Sequence, residues 1–294
     1  MMLVGLLING LVSGALYALV AVGFTLVIGV LDKLNFAHPE VLMIGGFVAV
    51  VASGLPPYYA FIAAFATGGL LGLVVEFAAF RRFTDADAKI TAGLASMAVG
   101  LVLTDLTQKV FGTESVSLPI GGGWLSRRFQ IAGVEFLNVQ IVIVLATAIL
   151  TGGLHVLLQR TRVGRQIRAV AESPVSASLL GVNVLRVSQA VFFVSSALAA
   201  EAGLLLALRS GAASSDIGLT FGLKALAIMA IGGLGDLRGA MLGGLVIGVL
   251  EAFMFHLGLG RLSELTVWLA MIVTLMVRPR GLFSSGTHGL EQRA

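Results

Sequence analysis

The chain has 294 residues, 57% of them hydrophobic and only 12% charged, with a mean hydropathy of +1.01. A soluble domain averages about 25% charged residues, and a water-soluble fold of this length cannot hide so much apolar surface, because its outside must face water. The net charge of +4 and pI near 9.8 would suit nucleic acid, but the basic residues sit in short segments between apolar runs, the positive-inside pattern of a membrane protein, so nucleic acid is not expected as a partner.

The bilayer is the solvent that makes this composition stable, and a crossing takes about 20 mostly apolar residues. Taken in chain order, the apolar segments are 3–30, 40–54, 59–81, 88–111, 138–160, 186–208, 219–235, 238–258 and 263–278. The first lacks a basic flank and a cleavage site, so it reads as a spanning helix and not as a removed signal. The segments 40–54 and 219–235 are short, and the latter ends in Gly232-Gly233-Leu234-Gly235, so either could be re-entrant or broken. The expected fold is an all-α integral membrane protein, one domain over 1–294, with a polytopic bundle of about 8–9 transmembrane helices, some short or broken. The 38 glycines fit close helix packing, where no hydrophobic force favours a neighbouring helix over lipid.

Orientation follows from three basic clusters: Arg81, Arg82 and Lys89; Arg160, Arg162, Arg165 and Arg168; and Arg278, Arg280 and Arg293. Placing all three inside puts Lys33, Arg238 and the C-terminus in the cytoplasm. The segment 112–137 is then an external loop, with Pro119, Gly121 to Gly123 and the interfacial Trp124, despite Arg127 and Arg128.

One cytoplasmic segment, 161–185, is too polar to span and too patterned for a plain linker. Val163, Ile167, Val170 and Ala171 recur at helical spacing. Ser173-Pro174 is an N-cap followed by proline at the first helical position; Val175, Leu179 and Leu180 supply an apolar stripe, and Gly181 is a C-cap. Two short amphipathic helices broken at Ser173 result. The residues alone fit a membrane-surface pair and a partner-docking element equally.

This segment resembles the cytoplasmic signature of LivH-type permeases, the branched-chain amino-acid family of ABC importers. The resemblance lies in GRQIRAVAESP, from Gly164 to Pro174, and LLGVN, from Leu179 to Asn183. It continues through NGLVSGALYALVAVG (Asn9–Gly23), LNFAH (Leu34–His38), GLKAL (Gly222–Leu226), GGLG (from Gly232), RGAMLGG (from Arg238), VLEA (from Val249) and RPRGLF (Arg278–Phe283). The chain departs from the family at Pro39, Glu201, Asp236 and Arg238. The resemblance implies a multi-pass subunit of the bacterial inner membrane working with two ABC ATPase subunits, a homologous second permease subunit and a periplasmic solute-binding protein. It implies branched-chain or related amino acids as the solute, with urea, amides and aromatic acids as alternatives. It also makes the segment the ATPase-coupling element, with Gly164, Arg165, Arg168, Glu172, Ser173, Pro174, Leu179, Leu180 and Gly181 carrying it.

The residues agree on one independent point. None of Lys33, Lys89, Lys109 and Lys224 follows a glycine, so the chain has no G-x-x-x-x-G-K-[ST] phosphate loop and is not expected to hydrolyse ATP. Gly233-Leu234-Gly235-Asp236 is the G-x-G-D string of intramembrane aspartyl proteases, but no Tyr-Asp partner accompanies it to share a proton. No catalytic residue, metal or cofactor is expected, and the chain has no cysteine. A self-sufficient secondary transporter or channel is the reading from a different class.

Polar residues inside the membrane are candidates for the solute pathway. Asn9, Ser13 and Tyr17 recur on one face of the first helix, Thr104 and Gln108 on one face of the fourth, with Asp105 and Lys109 spaced as an i, i+4 pair. Asn35 and His38, beside Pro39 and Glu40, form a polar interruption that either lines the cytoplasmic side of the pathway or is an ordinary cytoplasmic turn in which Asn35 caps the helix beginning near Pro39. Lys224, as pathway residue or buried ion pair, completes the pathway set, and Glu201 and Glu251 are further intramembrane candidates. For Asn, Ser and Thr the alternative is ordinary helix–helix hydrogen bonding.

Overall fold

The longest helix, α1 (Met2–Leu31), is strongly apolar and runs through the middle of a helical bundle. The structure, a computed structural model, describes residues 2–83, 88–118, 125, 127–131 and 134–283. After α1 come α2 (His38–Val51), α3 (Pro57–Val75) prolonged by a π-helical turn (Glu76–Phe80), α4 (Lys89–Phe111), α5 (Asn138–Arg160), α6 (Arg162–Glu172), α7 (Pro174–Leu179), α8 (Val184–Ser210), α9 (Ile217–Gly232), α10 (Leu237–His256) and α11 (Ser263–Val277). Among the described residues seven helices are long and apolar enough to cross a membrane; α2 and α9 are the two shorter apolar ones. These nine match the expected segments, and α1 and α8 are the most deeply enclosed.

The chain does not turn tightly between α1 and α2. Asp32 pairs with Lys89 at the start of α4, the Phe36 amide donates to Ser96 Oγ (2.9 Å), and Thr104 Oγ1 donates to Glu40 Oε2 (2.8 Å). From Asp32 to Glu40 the chain therefore keeps pace with α4 from Lys89 to Thr104, a climb of about 22 Å at 1.5 Å per helical residue. Asp32 bends the chain at φ +52°, residues 33–35 climb without regular structure, and residues 36–37 turn into α2, the His38 amide donating to the Asn35 carbonyl (3.3 Å). Non-helical backbone is tolerated at such depth only when enclosed by protein; here Asn35 and Ala37 are buried, and Asn35 Oδ1 accepts the Ala37 amide (3.1 Å). Asn35 thus stabilises the turn ahead of α2 without capping the helix, whose N-cap Ala37 has no side-chain hydrogen bond.

Glycines set the helix spacings. Gly10 and Gly14 of α1 face Val249 and Leu245 of α10, while Gly244 and Gly248 face Ala18 and Gly14 in return. Between α2 and α8 the fit is closer still: a Cβ on Gly203 would lie 1.8 Å from the Leu42 carbonyl oxygen. Gly152 on the outward side of α5 has nothing within 4 Å. Gly203→Ala should therefore force the helices apart and destabilise the protein by about 1–3 kcal/mol or more, whereas Gly152→Ala should be neutral or stabilising. Thermal unfolding of the two purified variants checks this, and equal midpoints would refute the packing argument.

The segment 112–137 holds more order than a plain loop. β1 (Val116–Ser117) pairs antiparallel with β4 (Ala212–Ala213), and β2 (Arg128–Ile131) pairs with β3 (Val134–Leu137), with Phe129 stacked on Phe136. Both pairs lie at one end of the bundle, the β end. At the opposite, basic end lie α6, α7, the Asp32–Lys89 pair and residues 278–283, whose Leu282 amide donates to the Ile231 carbonyl (2.8 Å). The expected loop features at Pro119, Gly121 to Gly123 and Trp124, and the basic Arg293, lie outside the described residues.

Candidate functional site

The polar segment at the basic end folds into the two expected helices, held by local side-chain chemistry. Thr161 Oγ1 accepts the Gly164 amide (3.0 Å) and starts α6; Ser173 Oγ accepts the Ser176 amide (3.2 Å) and starts α7 behind Pro174; Gly181, at φ +83°, ends it. Asn183 Oδ1 then accepts the Arg186 amide (3.0 Å) to open α8. Gly164 is pressed on the last turn of α5, where a Cβ would lie 2.2 Å from the Leu157 carbonyl oxygen, and the Arg168 guanidinium donates to the Leu158 carbonyl. Ile167, Val170 and Ala177 are buried. A short pair of helices is thereby clamped to the ends of spanning helices and cannot pivot freely.

The expected apolar stripes divide here. Ile167 and Val170 face the bundle, whereas Val163 and Ala171 face outward. On α7 it is Ala177 that is buried, while Val175, Leu179 and Leu180 are 70%, 83% and 84% exposed. Arg165 and Glu172 of α6 are exposed as well. Helical spacing gives the face, but only the tertiary contacts say which face the chain covers itself.

A second constellation lies towards the β end. Asn9, Ser13 and Tyr17 form the expected line down α1, and each meets a polar group from another helix. Gln140 Nε2 of α5 donates to Asn9 Oδ1 (2.8 Å), Arg209 Nη2 of α8 donates to Ser13 Oγ (2.8 Å), and the Tyr17 hydroxyl donates to Glu251 Oε2 of α10. Lys224 of α9 pairs with Glu251 Oε1 at 2.9 Å and lies 3.9 Å from Glu264 of α11. Its ammonium also stands 5.7 Å above the Tyr17 ring and 5.9 Å from that of Phe221. The Lys224–Glu251 pair is nearly enclosed, with the side chains 12% and 6% exposed, whereas Glu264 is 64% exposed and Arg209 is exposed. Ser13 and Tyr17 are one helical turn apart, so Arg209 stands about 6 Å above the buried pair along α1.

The other expected pathway residues gather elsewhere. Thr104 bonds Glu40, and Gln108 Nε2 donates to Ser215 Oγ (3.3 Å) just before α9, so α4, α2 and α9 share a smaller polar seam. Asn35 and His38 are buried within the chain; the His38 ring packs on Phe24 at 4.3 Å, with Nδ1 3.4 Å from Ser195 Oγ. Asp105 and Lys109 form their i, i+4 pair at 2.6 Å on an exposed face. Asp236 caps α10, accepting the Arg238 and Gly239 amides (2.8 and 3.1 Å). Glu201 is buried in α8. Among the described residues no cluster of acidic and histidine side chains could hold a metal ion.

Sequence reasoning missed Arg209, Gln140 and Glu264 as members of the polar line. Each sits in the first or last turn of its helix, where a polar residue reads as an ordinary membrane-interface residue. Glu251 carried the available signal, a carboxylate in the last third of an apolar helix.

Comparison with known proteins places these sites in context. The sequence profile described as "Branched-chain amino acid transport system / permease component" matches residues 6–277. The chain is 31% identical over 289 residues to the high-affinity branched-chain amino acid transport system permease protein BraD of Pseudomonas aeruginosa, covering 94% of each chain. It is 31% identical over 287 residues to the corresponding permease protein LivH of Escherichia coli K12, covering 93% of each. A solved structure titled "PsaBC from Streptococcus pneumoniae in complex with Fab" is similar in fold, with a TM-score of 0.50, 14% identity and coverage of 92% of this chain and 91% of that one.

Proposed function

The chain belongs to the permease component family of branched-chain amino acid transport systems, and on that premise we propose that it is the membrane-spanning subunit of an ABC importer for branched-chain amino acids. Separate ATPase subunits power it, a second related permease completes the translocating core, and a periplasmic binding protein delivers the solute. The basic end faces the cytoplasm, because it gathers the arginines of α5, α6 and residues 278–280. The β end is then the side at which solute arrives.

The observation that carries the reading is the α6–α7 pair. One side of it is fastened to the bundle, while Val175, Leu179 and Leu180 of α7 are exposed apolar residues and Arg165 and Glu172 of α6 exposed charges. A fastened lever with an unburied apolar tip suits a motor that binds the tip and moves the helices behind it. Residues 161–185, including Gly164, Arg168, Ser173, Pro174 and Gly181, are in this reading the coupling element. Asn9, Ser13, Tyr17 and Lys224 belong to the solute pathway, as does the seam of Thr104 and Gln108. Asn35 and His38 shape the broken second crossing beside it.

Reconstitution tests this. Vesicles holding the chain with its partner permease, the ATPases and the binding protein should accumulate L-leucine on addition of ATP. Vesicles holding this chain alone should not, with ATP or with an ion gradient. Gradient-driven uptake by the lone chain would establish the secondary-transporter reading instead.

A further inference from the structure

The charged groups towards the β end are arranged unlike a structural ion pair. A pair that only stabilises the bundle would close on itself, since charges inside a bilayer are costly unless partnered. Here Lys224 and Glu251 do close, but the Glu264 side chain beside them is mostly exposed, Arg209 above them is an exposed residue whose guanidinium meets the neutral Ser13 hydroxyl, and the line continues outward through Asn9 and Gln140. Five helices, α1 and α8 to α11, converge on the spot. The Lys224 ammonium shows what the inner position accepts: a primary ammonium held by one carboxylate and faced by two aromatic rings.

We infer that this is a zwitterion-binding site in the outer half of the pathway, in which Arg209 takes the α-carboxylate of an amino acid and Glu251 takes its α-ammonium in exchange for Lys224. The guanidinium offers a planar fork that fits a carboxylate with two parallel hydrogen bonds. The substrate ammonium replaces the lysine ammonium at Glu251, and Glu264 receives the released Lys224, to which it already lies at 3.9 Å. The exchange conserves charge: one carboxylate and one ammonium enter, Arg209 gains a carboxylate, and Glu251 and Lys224 each exchange one opposite partner for another. No proton or electron moves. The site deepens the proposed function and rests on it, because it assigns the amino-acid headgroup to named residues.

The test uses the purified permease pair in lipid nanodiscs without the binding protein, so that solute selectivity is the permease's own. Saturation-transfer NMR would read binding of three probes with the same branched side chain: L-leucine, leucinamide (no carboxylate) and 4-methylpentanoate (no ammonium). The wild type should favour L-leucine over both analogues at least tenfold. Arg209→Gln should erase the preference over leucinamide, and Glu251→Gln the preference over 4-methylpentanoate. A merely structural role would weaken all three probes alike. Arg209 is exposed, so its variant stands as a test even if Glu251→Gln fails to fold. Absence of leucine binding, or unchanged preferences in Arg209→Gln, overturns the site. If wild-type vesicles still import leucine in either case, the proposed function survives; if they import a different class of solute, that reading falls instead.

Discussion

Replacing Leu179 and Leu180 together by Asp is expected to abolish ATP-driven uptake while leaving the protein inserted and folded. Both side chains are over four-fifths exposed in the isolated chain, so their loss removes nothing from the bundle. Burial of a leucine against a partner contributes about 1.5–3 kcal/mol, so two lost leucines amount to a hundredfold or greater loss of ATPase affinity at about 1.4 kcal/mol per tenfold. Gly181→Val acts on the same element differently. A Cβ there has open space around it, so no clash arises, but φ is +83° and a β-branched residue is strained in that region. The turn between α7 and α8 must rearrange, re-aiming the apolar tip. Arg165→Glu reverses an exposed charge beside it. Copurification of the ATPases and uptake in vesicles check all three; full uptake by the leucine double variant and by Gly181→Val would end the coupling assignment.

The second large effect is expected at the buried ion pair. Lys224→Met leaves Glu251 without its cation in an enclosed site, and breaking a buried pair from one side costs about 3–5 kcal/mol. Glu251→Gln alone takes from Lys224 its 2.9 Å carboxylate partner and leaves it only the exposed Glu264 at 3.9 Å, while a glutamine amide oxygen can still accept from the Tyr17 hydroxyl. The double variant Lys224→Met/Glu251→Gln removes both charges and should recover much of the lost stability, giving a coupling energy of opposite sign to the single effects. Thermal midpoints of the three variants measure the cycle. Additive losses in the double variant would show that the two charges do not share one environment. Recovery of stability without recovery of uptake would show that uptake needs the two charges for more than stability.

Several features were legible in the residues because their causes are local. Composition alone selects the bilayer as solvent, and the nine apolar segments follow from it, since a spanning helix must satisfy its own backbone. The caps at Ser173 and Gly181 were legible for the same reason: a hydroxyl reaches an amide three residues on, and a left-handed turn favours glycine, whatever the rest of the chain does. The Asp105–Lys109 pair lies within one turn of a single helix and needs no fold to form.

What the sequence could not decide was which groups meet and which faces stay open. Tyr17 and Glu251 are 234 residues apart, and nothing in the local pattern of either helix points to the other. The irregular ascent from Asp32 to Ala37 lies along α4, where Ser96 takes the Phe36 amide, a partner sixty residues away that no local pattern announces. Ile167 is buried and Leu179 exposed although both are aliphatic residues of amphipathic helices, because the ends of α5 and α8 cover one side of the pair and leave the other bare. Hydropathy and capping act over a few residues, so they are written in the chain; burial and charge pairing depend on surfaces brought together from far apart, and only the packed bundle settles them.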